Sequence, residues 1–322
     1  MVPWNLMDEC LGWVWYLAND MQFFIATPPL IMLYCRKRRA ALAVILTTTF
    51  VSCLITFLFA VTQEYGISFF HPTSPDKIPY SDTTYVRPWA RFQAYGVGLF
   101  AGLMHFEYKY QDKYPEISGS FGARYMNAVR DGRYLPAILF LLGAFICQFL
   151  IWIRQTSPNQ FVRSWAVFPA ALYNGFSMAL FVLGLVFLMQ PFFAGRLEPI
   201  RPLLGGTIYQ PLAKLTFGTY LLHLIVIVWF NGTLRQGVWA SANNFSVLVF
   251  GYTAVTMGLA VVFTLLAETP SMLIERWILF PQPAKPKDEK SQKYAPIETN
   301  EEEDPVRNKK QLMAAATTSS IN

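Results

Sequence analysis

Three ionisable side chains interrupt long apolar stretches of this sequence: Asp20, Arg91 and His223. A charged group at membrane depth is costly, so each is a functional candidate by default. A neutral imidazole near pH 7 can accept a proton from a hydroxyl, which is the task of a general base. We predict a shared interior cavity in which His223 is the base and Asp20 and Arg91 orient a substrate or stabilise charge. The alternative for His223 is a hydrogen bond to a neighbouring helix.

Asp20 and Arg91 are predicted to lie near the same membrane depth. A carboxylate in hydrocarbon becomes protonated or carries a large desolvation cost unless it is paired. The two side chains can therefore form a structural ion pair between helices instead of serving a substrate. Gln22 follows Asp20 in the same polar patch and is a candidate substrate contact.

A second pattern gathers Arg91, Tyr95, Gly98, Gly102 and His105, which are spaced by four, three, four and three residues. This stride places all five on one face of a helix. The glycine pair allows close approach of another helix, and the same smooth surface can admit a thin acyl chain. Both interpretations stay open, and on the second one the tyrosine and both glycines contact substrate.

Two further polar residues lie near the ends of apolar runs. Glu268 ends the last run, just before Pro270, which stops or redirects a helix. We treat Glu268 as a candidate substrate contact. His105 is expected at the membrane edge, as an interfacial residue.

The composition indicates an integral-membrane protein. Hydrophobic residues make up 54% of the 322 residues and charged residues 14%, against about 25% charged in an average soluble domain. A membrane-spanning helix needs roughly 20 apolar residues. The sequence therefore predicts an all-α, polytopic helical membrane bundle with about seven transmembrane helices, near residues 13–35, 41–62, 88–106, 134–153, 165–190, 212–230 and 246–267.

Lys and Arg residues concentrate in alternate loops between these runs. The rule that basic loops stay in the cytoplasm places the start of the chain outside or in a lumen and the C-terminus in the cytoplasm, in the endoplasmic reticulum or the plasma membrane. Residues 1–280 form the predicted transmembrane domain. Residues 281–322 are rich in Pro, Lys and Glu and are predicted to be a disordered cytoplasmic tail.

Signatures of soluble enzymes are absent from the sequence: it has no nucleophile elbow, no phosphate-binding loop, no dinucleotide fingerprint and no HExxH. Its four cysteines form no CxxC pair, so we expect neither a metal site nor a disulfide framework. No cofactor is expected. The net charge is +6, and the basic residues lie at the ends of apolar runs. This placement favours membrane lipid over nucleic acid as a partner.

Three blocks resemble the integral-membrane acyltransferase-3 family, in its nose-resistant-to-fluoxetine-like branch. The most specific is the first, which looks like that branch's Trp-Tyr-Leu-Ala-x-Asp-Met-Gln signature. The likeness covers about residues 10–280. The blocks are Cys10-Leu-Gly-Trp-Val-Trp-Tyr-Leu-Ala-Asn-Asp-Met-Gln-Phe-Phe24, then Arg91-x-x-x-Tyr-x-x-Gly-x-x-x-Gly102, then Tyr220-Leu-Leu-His223 with Glu268-x-Pro270.

The resemblance implies transfer of an acyl group from a cytoplasmic donor, often acyl-CoA, to an acceptor hydroxyl. Members of this branch are also linked to lipid or xenobiotic uptake. The sequence lacks the family's early helices, one of which carries an Arg and a His, and residues 171–181 lack an Arg-Trp pair found in related sequences. Three hypotheses therefore stay open: an acyltransferase, a non-enzymatic lipid-binding or transport protein, and an inactive part of the family domain that needs upstream helices.

Overall fold

A computed structural model of the chain describes residues 13–67, 76–155, 165–198, 200, 205–207, 209–236, 239 and 241–279. These residues form helices, and none of them belongs to a strand. Two π-helical turns, Ser81–Tyr85 and Thr264–Glu268, interrupt the series. In chain order the α-helices are α1 Trp15–Arg36, α2 Arg38–Thr62, α3 Pro88–Lys109, α4 Pro115–Ser118, α5 Phe121–Asp131, α6 Leu135–Gln155, α7 Val167–Phe193, α8 Tyr209–Thr233, α9 Ala242–Phe263 and α10 Thr269–Leu279.

Five helices in the described part of the chain are long and apolar enough to cross a membrane. They are α2, α6, α7, α8 and the continuous stretch Ala242–Ile278 that joins α9 to α10. The prediction of a helical membrane bundle is therefore confirmed. The count of seven stays a prediction, because α1 and α3 lie where spans are expected and have 22 residues each but carry polar side chains within their length.

The chain divides into two units, Met1–Thr233 and Leu234–Asn322. In the first unit α3 is the central helix, since it contacts α1, α2, α5 and α7, and α6 packs along α7. The second unit contains α9, the second π-helical turn and α10. The predicted tail, residues 281–322, lies outside the described residues.

Glycines permit the closest approaches between helices in the first unit. A Cβ on Gly96 of α3 would overlap the Thr49 side chain of α2, and a Cβ on Gly143 of α6 would overlap the backbone of α7 at Gly184. Small residues at these points let two backbones pack closely, as membrane helices require. The close helix contact that we considered for Gly98 and Gly102 is therefore found at Gly96, on another face of α3.

The amphipathic helix α5 packs its apolar side against the cluster of transmembrane helices. Its side chains Met126 and Val129 are fully buried beside Leu139 of α6 and Ala194, which follows α7. Ser120 caps the helix by accepting a hydrogen bond from the Ala123 amide at 3.1 Å. This packing closes one end of the seam between α3 and α7, where the candidate site lies.

Candidate functional site

Arg91 lies beside two aromatic rings near the start of α3. Its guanidinium carbon lies 4.9 Å from the ring centroid of Trp15 and 4.7 Å from that of Tyr85. Its Nε donates a hydrogen bond to the Tyr85 carbonyl oxygen at 2.7 Å. Aromatic faces attract a cation and reduce the cost of partial burial. The guanidinium is therefore fixed in position by contacts with α1 and with the turn before α3.

A cavity of about 680 Å³ opens beside Arg91. Two guanidinium groups line it, those of Arg91 and Arg154, and no carboxylate does so among the described lining residues. Burial raises the pKa of the Tyr80 phenol, while the nearby charges of Arg91 and Arg154 act to lower it. Besides the two arginines, the polar side chains that line the cavity are Tyr80, Tyr85, Tyr173, Asn174 and Ser177.

A second cavity, an apolar groove of about 400 Å³, follows the same face of α3. Gly98 and Gly102 form part of its wall, and a Cβ on either would meet no described atom within 4 Å. The two glycines therefore leave open space instead of packing on a helix. The facing wall comes from α7: Val182, Leu185, Val186, Met189, Gln190 and Phe193.

The cavity and the groove are neighbours along one seam, because α3 and α7 run in the same direction. Arg91 lies beside Met178 at one end, with its Nη1 3.6 Å from the sulfur. His105 lies beside Phe193 at the other end, with ring centroids 5.2 Å apart. The seam is thus cationic and polar at the Arg91 end and apolar over the next turns of α3.

Tyr95 lies on the side of this face that turns toward α1. Its hydroxyl and the Thr27 hydroxyl are 2.5 Å apart and share a hydrogen bond. Its ring centroid is 4.9 Å from that of Phe23. Tyr95 therefore joins α3 to α1 at the edge of the seam.

His223 is partly buried on α8 and has a defined hydrogen bond. Its Nδ1 lies 2.6 Å from the carbonyl oxygen of Tyr220. A carbonyl oxygen can only accept, so Nδ1 carries the proton and Nε2 is the acceptor. The ring of Tyr220 lies 5.9 Å from the imidazole and 5.8 Å from the ring of Tyr16 on α1. An aromatic chain thus connects His223 to the helix that also carries Trp15.

Asp20 and Gln22 lie on α1, and Asp20 is exposed while Gln22 is partly buried. The carboxylate of Asp20 interacts with the Tyr16 hydroxyl one turn earlier. Within the described residues no ion pair joins Asp20 to Arg91, so the ion-pair alternative does not hold. Arg91 is stabilised by aromatic rings and a carbonyl instead, and Asp20 avoids the desolvation that such a pair would require.

The structure does not bring the three predicted residues together in this cavity. Among the described lining residues the cavity contains Arg91 without Asp20 or His223. Glu268 belongs to the second unit, where it accepts a hydrogen bond from the Thr264 hydroxyl at 2.9 Å across the π-helical turn. The part of the chain that the structure describes holds no group of three or more metal-ligating side chains.

Sequence reasoning missed the environment of His105. Its Nδ1 is buried and has no hydrogen-bond partner among the described residues, although the ring lines the apolar groove. A buried polar atom without a partner carries a free-energy cost and calls for an explanation such as a missing ligand. The stride from Arg91 already placed His105 on this face, and that signal was available.

Sequence reasoning also missed Arg154 and Glu107. Each lies at the end of an apolar run, where a charge normally remains solvated, so no sequence pattern singled them out. The structure places Arg154 on the cavity wall. It buries Glu107, which is 2% exposed, between α1, α2, α3 and α5.

Comparison with known proteins identifies the family. A family model described as an acyltransferase domain, acyltransferase-3, matches residues 2–265. The chain belongs to the acyltransferase-3 family. The resemblance found in the sequence blocks is therefore confirmed, and this acyltransferase-3 chain is a multi-pass, membrane acyltransferase-like protein.

Two curated relatives come from Caenorhabditis elegans. The chain is 25% identical to "Nose resistant to fluoxetine protein 6" over 244 residues, which are 70% of this chain and 27% of that protein. It is 23% identical to "Regulator of hypoxia-inducible factor 1" over 247 residues, 71% of this chain and 43% of that protein. The chain thus spans less than half the length of either relative. No solved structure matches it significantly.

Proposed function

We propose that this acyltransferase-3 chain transfers an acyl group from a cytoplasmic donor such as acyl-CoA to an acceptor hydroxyl. The observation that supports the proposal best is the seam between α3 and α7, where an apolar groove lies next to a cavity with two guanidinium groups. An acyl donor has the matching character, since it joins an apolar chain to an anionic head. Family membership supplies the class of reaction.

The groove is the proposed site of the acyl chain. Each methylene removed from water stabilises binding by about 0.8 kcal/mol, but a chain already dissolved in lipid gains much less. Shape is therefore the better argument. The bare backbone at Gly98 and Gly102 gives a chain close contact with α3, which larger side chains would prevent. Tyr95 borders the same face and would limit the depth of the chain.

His223 is the proposed general base, with its Nε2 as the proton acceptor. The acceptor oxygen attacks the thioester carbonyl carbon as its proton moves to Nε2. The carbon–sulfur bond then breaks, and the proton passes to the leaving thiolate. Arg91 would stabilise negative charge, and Asp20 and Gln22 on α1 would orient the acceptor. Glu268 stays a substrate contact predicted from the sequence.

The test is an assay of acyl transfer and hydrolysis with radiolabelled palmitoyl-CoA and purified protein in detergent. We expect His223→Ala to lower kcat about 100-fold, the usual contribution of a positioned base. Thr233→Ala, an exposed position on the same helix, serves as the matched control and should retain full activity. Turnover that is unchanged in His223→Ala would remove this residue from the mechanism. His105→Ala tests the second imidazole in the same assay.

The groove is tested separately by Gly102→Leu. The added side chain fills the groove, so we expect the preferred acyl chain to become shorter by several carbons. Gly251→Leu is the control, since Gly251 is also a helical glycine with open space beside it. Equal chain-length preference in both variants would place the acyl chain elsewhere.

A second candidate function is non-enzymatic binding or transport of a lipid-like molecule. It is favoured by one observation, that Asp20 and His223 do not line the cavity containing Arg91 within the described residues. This function predicts saturable lipid binding without acyl turnover. Gly102→Leu should weaken the lipid binding, and His223→Ala should leave it unchanged.

A further inference from the structure

The cavity between α3, α6 and α7 has an unbalanced positive charge. Arg91 and Arg154 come from different helices and both line the cavity. The charges of both act on the Tyr80 phenol. Neither guanidinium forms an ion pair within the described residues. Two cations that line one cavity repel each other, and the partly buried Arg91 is costly to desolvate unless an anion lies near it.

Arg91 still has hydrogen-bonding capacity toward the cavity. A guanidinium has five N–H groups. One donates to the Tyr85 carbonyl, and one points to the sulfur of Met178, which is a weak acceptor. The rings of Trp15 and Tyr85 hold the group rigidly, so a ligand that binds the remaining N–H groups loses little side-chain entropy.

Two other polar residues of the wall are already engaged and serve as a fixed frame. The Tyr173 hydroxyl donates to the Leu150 carbonyl at 3.0 Å, and the Asn174 amide donates to the Gly66 carbonyl at 2.9 Å. Ser177 lies on the same wall, one turn of α7 after Tyr173. The donors available to a ligand are thus mainly the two guanidiniums and a hydroxyl.

We propose that this cavity binds the phosphate group of an amphiphile whose acyl chain lies in the adjacent groove. The inference rests on the proposed function for the chain site and adds the class of head group and the role of Arg154. A carboxylate is satisfied by a single bidentate arginine, whereas the three oxygens of a phosphate monoester can engage two guanidiniums and a hydroxyl together. The same chemistry occurs in a lysophospholipid and in an acyl-CoA donor.

Four ligands with the same oleoyl chain distinguish the head groups: lysophosphatidate, oleoyl-CoA, oleate and monoolein. Binding of each to the full chain in detergent is measured by calorimetry. We expect at least one phosphate-bearing ligand to bind about 10-fold or more tighter than oleate and monoolein, since hydrogen bonds to charged groups are the strong ones. If only lysophosphatidate binds more tightly, the natural ligand of the cavity is a phospholipid. If only oleoyl-CoA binds more tightly, the natural ligand is the acyl donor.

Arg154→Gln tests the residue directly. This substitution should lower the affinity for the preferred phosphate-bearing ligand about 10-fold and leave the affinity for monoolein unchanged. Arg154 is exposed at the end of α6, so folding should persist, and Arg154→Lys should restore part of the affinity. Arg124→Gln, an exposed arginine on α5, is the control and should bind like the original protein.

The outcomes separate this inference from the proposed function. Phosphate-selective binding that depends on Arg154, without acyl turnover, supports the head-group site and rejects the transferase. Acyl turnover with equal binding of all four ligands overturns the head-group site and leaves the transferase in place. An unchanged affinity in Arg154→Gln also overturns it.

Discussion

Glu107 shows how one buried carboxylate can hold four helices together. Its Oε1 accepts a hydrogen bond from the Tyr34 hydroxyl at 2.6 Å and lies 3.6 Å from Nε of Arg38. Its Oε2 accepts from the Gly122 amide at 2.9 Å, at the start of α5. A carboxylate at a helix N-terminus also interacts favourably with the helix dipole. Glu107 is therefore a structural residue at the end of α3, with all its partners in place.

Removing this carboxylate should destabilise the first unit. We expect Glu107→Ala to lower the free energy of unfolding by about 3 kcal/mol, because the buried Tyr34 hydroxyl and the buried Gly122 amide both lose their acceptor. Glu107→Gln keeps an acceptor and should cost less. Thermal unfolding in detergent measures the effect. Glu116→Ala, an exposed glutamate on α4, is the control, and an equal melting temperature in Glu116→Ala and Glu107→Ala would contradict the role.

At the scale of elements, α5 is attached to α3 through a glycine. A Cβ on Gly122 would lie 2.7 Å from Cα of Met104 and 2.5 Å from the Glu107 carboxylate. No side chain therefore fits between the two helices at this position. This contact, together with the buried pair Met126 and Val129, sets the position of α5 at the end of the apolar groove.

Gly122→Ala should push α5 away from α3. The expected loss is about 1–3 kcal/mol, the usual cost of inserting a methyl group into a packed site, and α5 should become more susceptible to trypsin at Arg124 and Arg130. Limited proteolysis and thermal unfolding measure both effects. Gly119→Ala is a close control, because a Cβ there meets no described atom within 4 Å. Cleavage of both variants at the same rate would show that the contact is unimportant.

At the scale of the whole molecule, the orientation in the membrane is a prediction from the basic loops. It places the connection between α2 and α3 outside and the connection between α3 and α5 in the cytoplasm. The Arg91 end of the seam would then face outward and the His105 end inward. A cytoplasmic acyl-CoA would therefore have to enter the seam at its His105 end and carry its head group to the cavity, whereas an outer-leaflet lysophospholipid would reach the cavity directly.

Two exposed aspartates test this orientation, Asp76 and Asp112. In a background without native cysteines, Asp76→Cys should react with a membrane-impermeant maleimide added to the outer or lumenal side of sealed membranes. Asp112→Cys should react only after permeabilisation. The reverse pattern would invert the predicted topology.

Several elements were predictable because their signals are local. Apolar runs of sufficient length gave the helices, since backbone hydrogen bonds within a helix connect near neighbours in sequence. The stride predicted one shared face of α3, and Arg91, Gly98, Gly102 and His105 do line the cavity and the groove, whereas Tyr95 contacts α1. The interfacial depth expected for His105 stays a prediction, and the sequence pattern did not indicate that its Nδ1 is buried in the groove.

The helical membrane class, the family and the residues that share a face of α3 could be predicted from local patterns, because periodicity and length depend on residues close together in the chain. Contacts between side chains from different helices became known only from the folded arrangement. It paired Arg91 with Trp15 and Tyr85 instead of Asp20, brought Arg154 to the same cavity, and buried Glu107 under α5. These outcomes depend on desolvation and packing between helices far apart in sequence, where the cost of burying a charge is set by the partners it finds.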